Sequence, residues 1–163
     1  MKIGAQFYTL RDKCTNLDDF AETLKKVADI GYTEVQISGV CKYEPEWLKE
    51  QLDKNGLKCA ITHWNVDEIR DNPVDVVNAH KIFDCKNIGI GCMPGGLGLG
   101  EDHLNSFIKN FTEPAKIIHD NGAKMFYHNH DMEFRKCADG EMIIDKIVKA
   151  FPKEHLAITF DTY

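Results

Sequence analysis

Residues 33–64 read TEVQISGVCKYEPEWLKEQLDKNGLKCAITHW, and this stretch indicates how the whole chain folds. A short, mainly apolar run at 33–38 is followed by an amphipathic segment at 46–55 and by a second apolar run at 58–64. Gly56 stands just past the amphipathic segment, where glycine commonly ends a helix. The stretch therefore predicts a strand, a helix and a second strand, which make one βαβ unit.

The same unit repeats along the rest of the chain. The repeats bring the prediction to six strands and five helices, with strands starting at intervals of about 30 residues. The further strands are predicted at 3–10, 87–93, 124–130 and 156–160, and the further helices at 17–30, 72–83, 101–121 and 142–151. Because the strands are apolar throughout, we expect a parallel sheet buried on both faces. A doubly wound open sheet and a (β/α)8 barrel both satisfy this pattern.

A proline and a glycine-rich loop interrupt the predicted repeat of strands and helices. Pro114 falls inside the predicted helix 101–121, where proline is expected to kink or split a helix. The glycine-rich loop 94–100 matches neither the dinucleotide-binding nor the Walker pattern, so we expect a permissive turn rather than a nucleotide site.

The composition indicates which kinds of partner and which cellular compartment to expect. The chain has 163 residues, with 20 Lys and Arg against 26 Asp and Glu, a formal net charge of −6. An acidic chain disfavours nucleic acid as the main partner, and the sequence has neither a membrane-spanning run nor a secretory signal. Its six cysteines contain no C-x-x-C pair. We therefore expect a cytoplasmic protein with reduced thiols, most of them in the core.

Polar side chains gather at the predicted carboxyl ends of the strands, where α/β proteins place their functional groups. They comprise Gln6, Tyr8, His63, His128, His130 and Asp161, with Glu133 close behind. Imidazole and carboxylate together suit Zn²⁺, Mn²⁺, Fe²⁺ or Co²⁺. The alternative is that His128 and His130 form a hydrogen-bonded pair lining a polar cleft without metal.

Three motifs resemble those of a known family. Residues 4–12 (GAQFYTLRD) resemble its G-x-Q-x-Y-S-L-R-D opening, residues 127–134 (YHNHDMEF) its Y-H-N-H-D-F-E-F after strand five, and residues 160–163 (FDTY) its L-D-T-Y-W after strand six. The family is that of the sugar phosphate isomerases/epimerases. Its superfamily of xylose isomerase-like TIM barrels also holds inosose dehydratases, ketose 3-epimerases and endonuclease IV-type repair enzymes.

The resemblance implies a (β/α)8 TIM barrel with a divalent metal, Mn, Mg, Co or Zn, at the carboxyl ends of its strands. Asp161 matches the strand-six metal ligand, and His128 stands where the ketose epimerases have a glutamate, as a second ligand and a catalytic residue. Glu133 or His130 then supplies the missing function, with Glu133 as the catalytic candidate. His130 and the rim residues Gln6, Tyr8 and His63 are expected to bind substrate.

The implied reaction is proton transfer next to the carbonyl of a sugar or sugar phosphate, through an enediolate, giving isomerisation or epimerisation. A keto-sugar or inosose dehydratase or lyase is the alternative within the superfamily, and a non-catalytic carbohydrate-binding fragment is the alternative outside enzymes. A complete barrel takes about 250 residues. We therefore expect residues 1–163 to be one domain, the N-terminal two thirds of a barrel. It is expected either to be a truncated product or to pair its open edges with another chain, as in a homo-oligomer, and in either case to be inactive by itself.

Overall fold

The computed structural model of the protein describes residues 3–95 and 100–162. The chain divides into two compact units, one made of Met1–His63 with Asn78–Ile88, the other of Trp64–Val77 with Gly89–Tyr163. Each unit is described by itself. Most of the glycine-rich turn expected at 94–100 lies outside the described residues.

Strands and helices alternate along the described residues, as the repeat predicts. The strands are β1 (Gly4–Gln6), β2 (Glu34–Ile37), β3 (Lys58–His63), β4 (Asn87–Ile90), β5 (Lys124–His128) and β6 (Leu156–Thr159). The α-helices are α1 (Leu17–Ile30), α2 (Pro45–Lys54), α3 (Val66–Asp71), α4 (Pro73–Ile82), α5 (Glu101–Asp120) and α6 (Ile143–Ala150). Two 3-10 helices, Phe7–Lys13 and Asp131–Phe134, follow β1 and β5.

The first unit contains the parallel strands β1, β2 and β3, in their order along the chain. Helix α1 begins where the sequence predicts, because the side chain of Asn16 accepts a hydrogen bond from the backbone N–H of Asp19 at 3.0 Å. It ends at Gly31, whose φ of 109° is in the left-handed region. The βαβ prediction for residues 33–64 is confirmed.

Strand β2 corrects the expectation that the strands are buried on both faces. Val35 and Ile37 are buried, whereas Glu34 and Gln36, which alternate with them, are half-buried. Successive side chains of a strand point to opposite faces. The strand is therefore apolar on one face and polar on the other, and Gln36 belongs to the polar face.

The second unit contains β5 and β6, which pair in parallel with Met125 opposite Leu156 and His128 opposite Thr159. Helix α5 is one element of 20 residues with Pro114 inside it, so the expected division at this proline is wrong. Phe111, Pro114 and Ala115 are all buried. Burial of apolar side chains on both sides of the proline offsets the backbone hydrogen bond that proline cannot donate.

Three short elements were not expected from the sequence, and one of them is the 3-10 helix Asp131–Phe134. The first strand ends at Gln6 rather than Leu10, because residues 7–13 turn into a 3-10 helix in which Thr9 donates a hydrogen bond to the carbonyl of Gln6 at 2.7 Å. Helix α3 is additional, and Asn65 caps it by accepting from two backbone N–H groups. Six residues are too few to show a helical period, so only the cap indicates this helix.

Among the described residues, no helix combines the length and the apolar character that crossing a membrane requires. All six cysteines are free thiols, of which Cys14, Cys59 and Cys85 are buried and Cys92 is exposed. Half of the six cysteines are therefore core residues, fewer than the majority expected.

A buried polar pair in the first unit gives a test of the packing. The hydroxyl of Thr62 lies 2.7 Å from Nε2 of His80, and both side chains are fully buried. Replacing Thr62 with valine leaves this nitrogen without its hydroxyl partner, which typically costs about 1–3 kcal/mol. Urea unfolding of Thr62→Val is therefore expected to show a lower free energy of unfolding by that amount.

The matched control is Thr62→Ser, which keeps the hydroxyl and removes only a methyl group. It is expected to lose less stability than the valine variant. Equal losses in both variants would mean that the methyl group, and not the hydrogen bond, carries the contribution.

Candidate functional site

The predicted site residues divide between the two units. Gln6, Tyr8 and His63 lie in the first unit, and His128, His130, Glu133 and Asp161 lie in the second. The structure brings the four residues of the second unit together around the ends of β5 and β6.

His128 and Asp161 form the centre of the group in the second unit. His128 is the last residue of β5, and Asp161 follows the end of β6 by two residues. Nε2 of His128 lies 3.3 Å from Oδ2 of Asp161. Burial lowers the pKa of His128, and the neighbouring His130 lowers it further, while the Asp161 carboxylate acts in the opposite direction. The neutral imidazole that burial favours is the form that binds a metal or accepts a proton.

Asn129 holds Asp161 in this place. Its side-chain amide donates to the backbone carbonyl of Asp161 at 2.9 Å and accepts from the backbone N–H of Asp161 at 3.0 Å. Asn129 is 1% exposed. The side chain thus makes the two hydrogen bonds that a neighbouring strand backbone would make, and it continues the β5–β6 pairing beyond His128 and Thr159. The sequence pattern alone did not indicate this role for Asn129.

His130 lies beside His128 and at the edge of a cavity. The two imidazole rings meet edge to face, with centroids 5.0 Å apart and planes at 72°. A cavity of about 400 Å³ opens here, and its lining consists of His130, Asp131, Phe134, Phe160, Asp161 and Thr162. The cavity brings one imidazole and one carboxylate of the predicted set to the same space.

Glu133 is placed differently from the other candidates. Its carboxylate is fully buried, and it accepts a hydrogen bond from the Tyr127 hydroxyl at 2.6 Å and from the backbone N–H of His130 at 2.7 Å. Burial raises the pKa of Tyr127, and the hydrogen bond to Glu133 raises it further, so the phenol stays protonated and donates. Glu133 is not among the residues that line the cavity.

In the first unit, His63 is held by two polar neighbours. Its Nε2 lies 2.8 Å from the amide nitrogen of Gln36, and its Nδ1 lies 2.8 Å from the hydroxyl of Ser38. An amide nitrogen only donates, so Nε2 accepts and the neutral ring carries its proton on Nδ1. Gln36 and Ser38 therefore set the orientation and the tautomer of His63, which the sequence did not indicate.

Gln6 and Tyr8 have separate surroundings. Gln6 ends β1 opposite Gln36 of β2. Tyr8, expected at a strand end, lies instead in the 3-10 helix, is 53% exposed and has the Arg11 guanidinium 4.6 Å from its ring centroid. Gly39 has a φ of +69°, and a Cβ there would come within 2.8 Å of the Tyr8 ring. Only glycine therefore lets this ring pack against the loop after β2.

A larger cavity of about 870 Å³ in the first unit does not contain the candidate residues. Its lining includes Glu34, Lys58 and Asn87, which are the first residues of β2, β3 and β4. Functional groups of parallel α/β folds lie at the opposite, carboxyl ends of the strands. The smaller cavity beside Asp161 is therefore the candidate site.

Comparisons with known proteins identify the fold. No protein-family model matches the chain, and no curated protein matches it. A solved sugar phosphate isomerase/epimerase from Parabacteroides distasonis matches with a TM-score of 0.82 and 19% identity, over 99% of this chain and 68% of that one. An AP endonuclease, family 2, from Brucella melitensis matches with a TM-score of 0.69 and 14% identity, over 100% and 69%.

A third structure, of a xylose isomerase-like TIM barrel protein from Mycobacterium smegmatis in complex with magnesium, matches with a TM-score of 0.67 and 11% identity, over 98% of this chain and 64% of that one. The chain therefore has the fold of the xylose isomerase-like TIM barrels, and its six strands and helices correspond to about two thirds of such a barrel. The predicted fold class and the resemblance are confirmed at the level of fold.

The tautomer of His63 can be measured directly. Long-range ¹H–¹⁵N spectra of the imidazoles are expected to show His63 as the Nδ1–H form, because Ser38 accepts from Nδ1 and Gln36 donates to Nε2. Ser38→Ala is expected to shift the equilibrium toward that of exposed His103, which serves as an internal reference. An Nε2–H form in the wild type would contradict this assignment. It would mean that the amide oxygen of Gln36, and not its nitrogen, faces Nε2 of His63.

Proposed function

We propose that this chain carries part of the active site of a metal-dependent isomerase or epimerase that acts on a sugar or sugar phosphate. The observation that carries the proposal is the 3.3 Å approach of His128 Nε2 and Asp161 Oδ2 at the ends of neighbouring strands, beside a cavity. The fold shared with a sugar phosphate isomerase/epimerase supports it. Fold alone does not define a reaction, so the site bears the argument.

The His128–Asp161 pair suits a divalent cation. Two donor atoms that each bind a cation at about 2.1 Å lie about 3.0–3.4 Å apart at octahedral or tetrahedral angles. The observed N···O distance of 3.3 Å falls in this range. No group of three or more His, Cys, Asp or Glu side chains that could hold a metal occurs within residues 3–95 and 100–162. The described residues therefore supply two of the ligands that such a cation needs.

His128 and Asp161 would hold the cation, and His130 would move the proton. A bound cation would polarise the substrate carbonyl and stabilise the enediolate. His128, neutral because it is buried, presents Nε2 to the cation, and Asp161 adds a negative charge. His130 lines the cavity and accepts the proton from the carbon next to the carbonyl, whereas the buried Glu133 does not reach the cavity. Return of the proton by His130 to the neighbouring carbon gives isomerisation, whereas epimerisation needs a second acid that protonates the opposite face of the enediolate.

Metal affinity tests the two ligands. Isothermal titration of the wild-type protein with Mn²⁺ is expected to show one site, which His128→Ala or Asp161→Ala weakens at least about tenfold because each removes a direct ligand. Glu113→Ala is the control, since it removes an exposed carboxylate of α5 that does not line the cavity. Equal weakening by Glu113→Ala would indicate general charge attraction, and absence of binding to the wild type would contradict the proposal.

Product analysis separates the reactions in the complete protein. Incubation with a keto-sugar in D₂O and Mn²⁺ is expected to place deuterium next to the carbonyl with a stereochemical or positional change. Loss of water would instead indicate a dehydratase or lyase, because both reactions share the enediolate. Absence of deuterium from all keto-sugars tried would favour a carbohydrate-binding role without catalysis.

A further inference from the structure

Glu133 is a buried carboxylate that the proposed chemistry does not use. Both of its oxygens are occupied, one by the Tyr127 hydroxyl at 2.6 Å and the other by the His130 backbone N–H at 2.7 Å. The side chain is fully buried, as is Tyr127. Burial of a carboxylate is costly unless hydrogen bonds compensate for it, and here two donors do so.

Glu133 is not among the residues that line the cavity. Asp131 and Phe134, on either side of it in the 3-10 helix, line the cavity together with His130, whereas Glu133 is fully buried. A catalytic acid or base must reach the reacting atoms within hydrogen-bond distance. The placement of Glu133 therefore favours a role that acts through other residues over the predicted catalytic role.

The two hydrogen bonds connect the turn that carries His130 to the strand that carries His128. Residues 131–134 form a 3-10 helix that begins after His130, and Glu133, at the third position, reaches back to the His130 N–H as in a capping box. Tyr127 belongs to β5 and immediately precedes His128. The carboxylate thus connects the backbone N–H of His130 to the side chain of Tyr127, the strand residue that precedes His128.

The distance between the two imidazoles depends on this connection. The rings lie edge to face at 5.0 Å, and the Glu133 carboxylate binds both the His130 backbone and the Tyr127 hydroxyl, while the His130 side chain accepts from the Glu133 backbone N–H in the same capping box. A residue one layer behind the reacting groups typically changes metal affinity or activity 10- to 100-fold when it is lost. Loss of the carboxylate is expected to release the turn and let the His130 ring move.

We infer that Glu133 is a positioning residue: through Tyr127 and the His130 backbone it holds the His130 imidazole against His128 at the edge of the cavity. The inference rests on the proposed function, because the positioned His130 serves the proton transfer proposed there. The arrangement itself needs no metal, so it can be tested in the metal-free protein.

The experiment compares Glu133→Gln with Glu133→Leu. The Gln oxygen accepts from the His130 N–H, and the Gln amide donates to the Tyr127 oxygen, which changes from donor to acceptor. Glu133→Gln is therefore expected to keep the wild-type imidazole signals of His128 and His130 in ¹H–¹⁵N spectra and the Mn²⁺ affinity within about threefold. Glu133→Leu is expected to shift both sets of signals and to lower the Mn²⁺ affinity about tenfold or more.

Ile118→Ala controls for loss of stability alone, because it empties a fully buried position in α5. It is expected to lower the free energy of unfolding and to leave the imidazole signals and the Mn²⁺ affinity unchanged. If Glu133→Leu does not fold, Tyr127→Phe carries the test, since it keeps the carboxylate and removes only its link to β5. Shifted His130 signals in that variant are the expected result.

Three results would overturn the inference. Glu133→Leu, or Tyr127→Phe in its place, with unchanged His130 signals would show a purely structural carboxylate. Glu133→Gln with losses as large as those of Glu133→Leu would show that the charge itself acts. Ile118→Ala with the same shifts would show a general effect of destabilisation. Failure of the wild type to bind Mn²⁺ would instead contradict the proposed function and leave the imidazole signals as the test of positioning.

Discussion

The two-point hydrogen bond between the Asn129 side chain and the Asp161 backbone is the constraint on which the candidate site depends. Strands β5 and β6 pair through His128 and Thr159, and beyond that pair the backbone ladder ends. The asparagine supplies one donor and one acceptor in place of a backbone and carries the pairing on to Asp161. Through these two hydrogen bonds the asparagine fixes the backbone of Asp161, and with it the position of the carboxylate beside His128.

A second layer of buried polar contacts surrounds this pair. Glu133 and Tyr127 fix the turn after β5, so the two histidines and Asp161 are set by side chains that have no contact with the cavity. Buried polar groups stabilise a structure only when every member has a partner. The hydrogen bonds of Asn129, Glu133 and Tyr127 thus compensate for the burial of these polar side chains in the motif YHNHDMEF.

Much of the fold could be predicted from sequence because the βα repeat combines signals that act locally. The cap at Asn16, the left-handed glycine at Gly31 and the apolar runs each act over a few residues, so the predicted strand starts agree closely with the observed ones. The errors occur where a local contact competes with the pattern. Residues 7–13 turn because side chains bond to the backbone within the turn, and α5 passes Pro114 because packing on both sides holds it.

The candidate site was only partly predictable for a different reason. Residue type and position at strand ends were enough to single out His128 and Asp161. The roles of Asn129, Glu133 and Ser38 depend instead on hydrogen bonds to residues 32, 6 and 25 positions away, respectively, and these partners are not evident from the sequence pattern. The most direct test of a cation site at His128 and Asp161 is pulsed electron paramagnetic resonance of the protein loaded with Mn²⁺. We expect a nitrogen coupling from one directly bound imidazole, absent in His128→Ala. A coupling that persists unchanged in that variant, or no nitrogen coupling in the wild type, would contradict it.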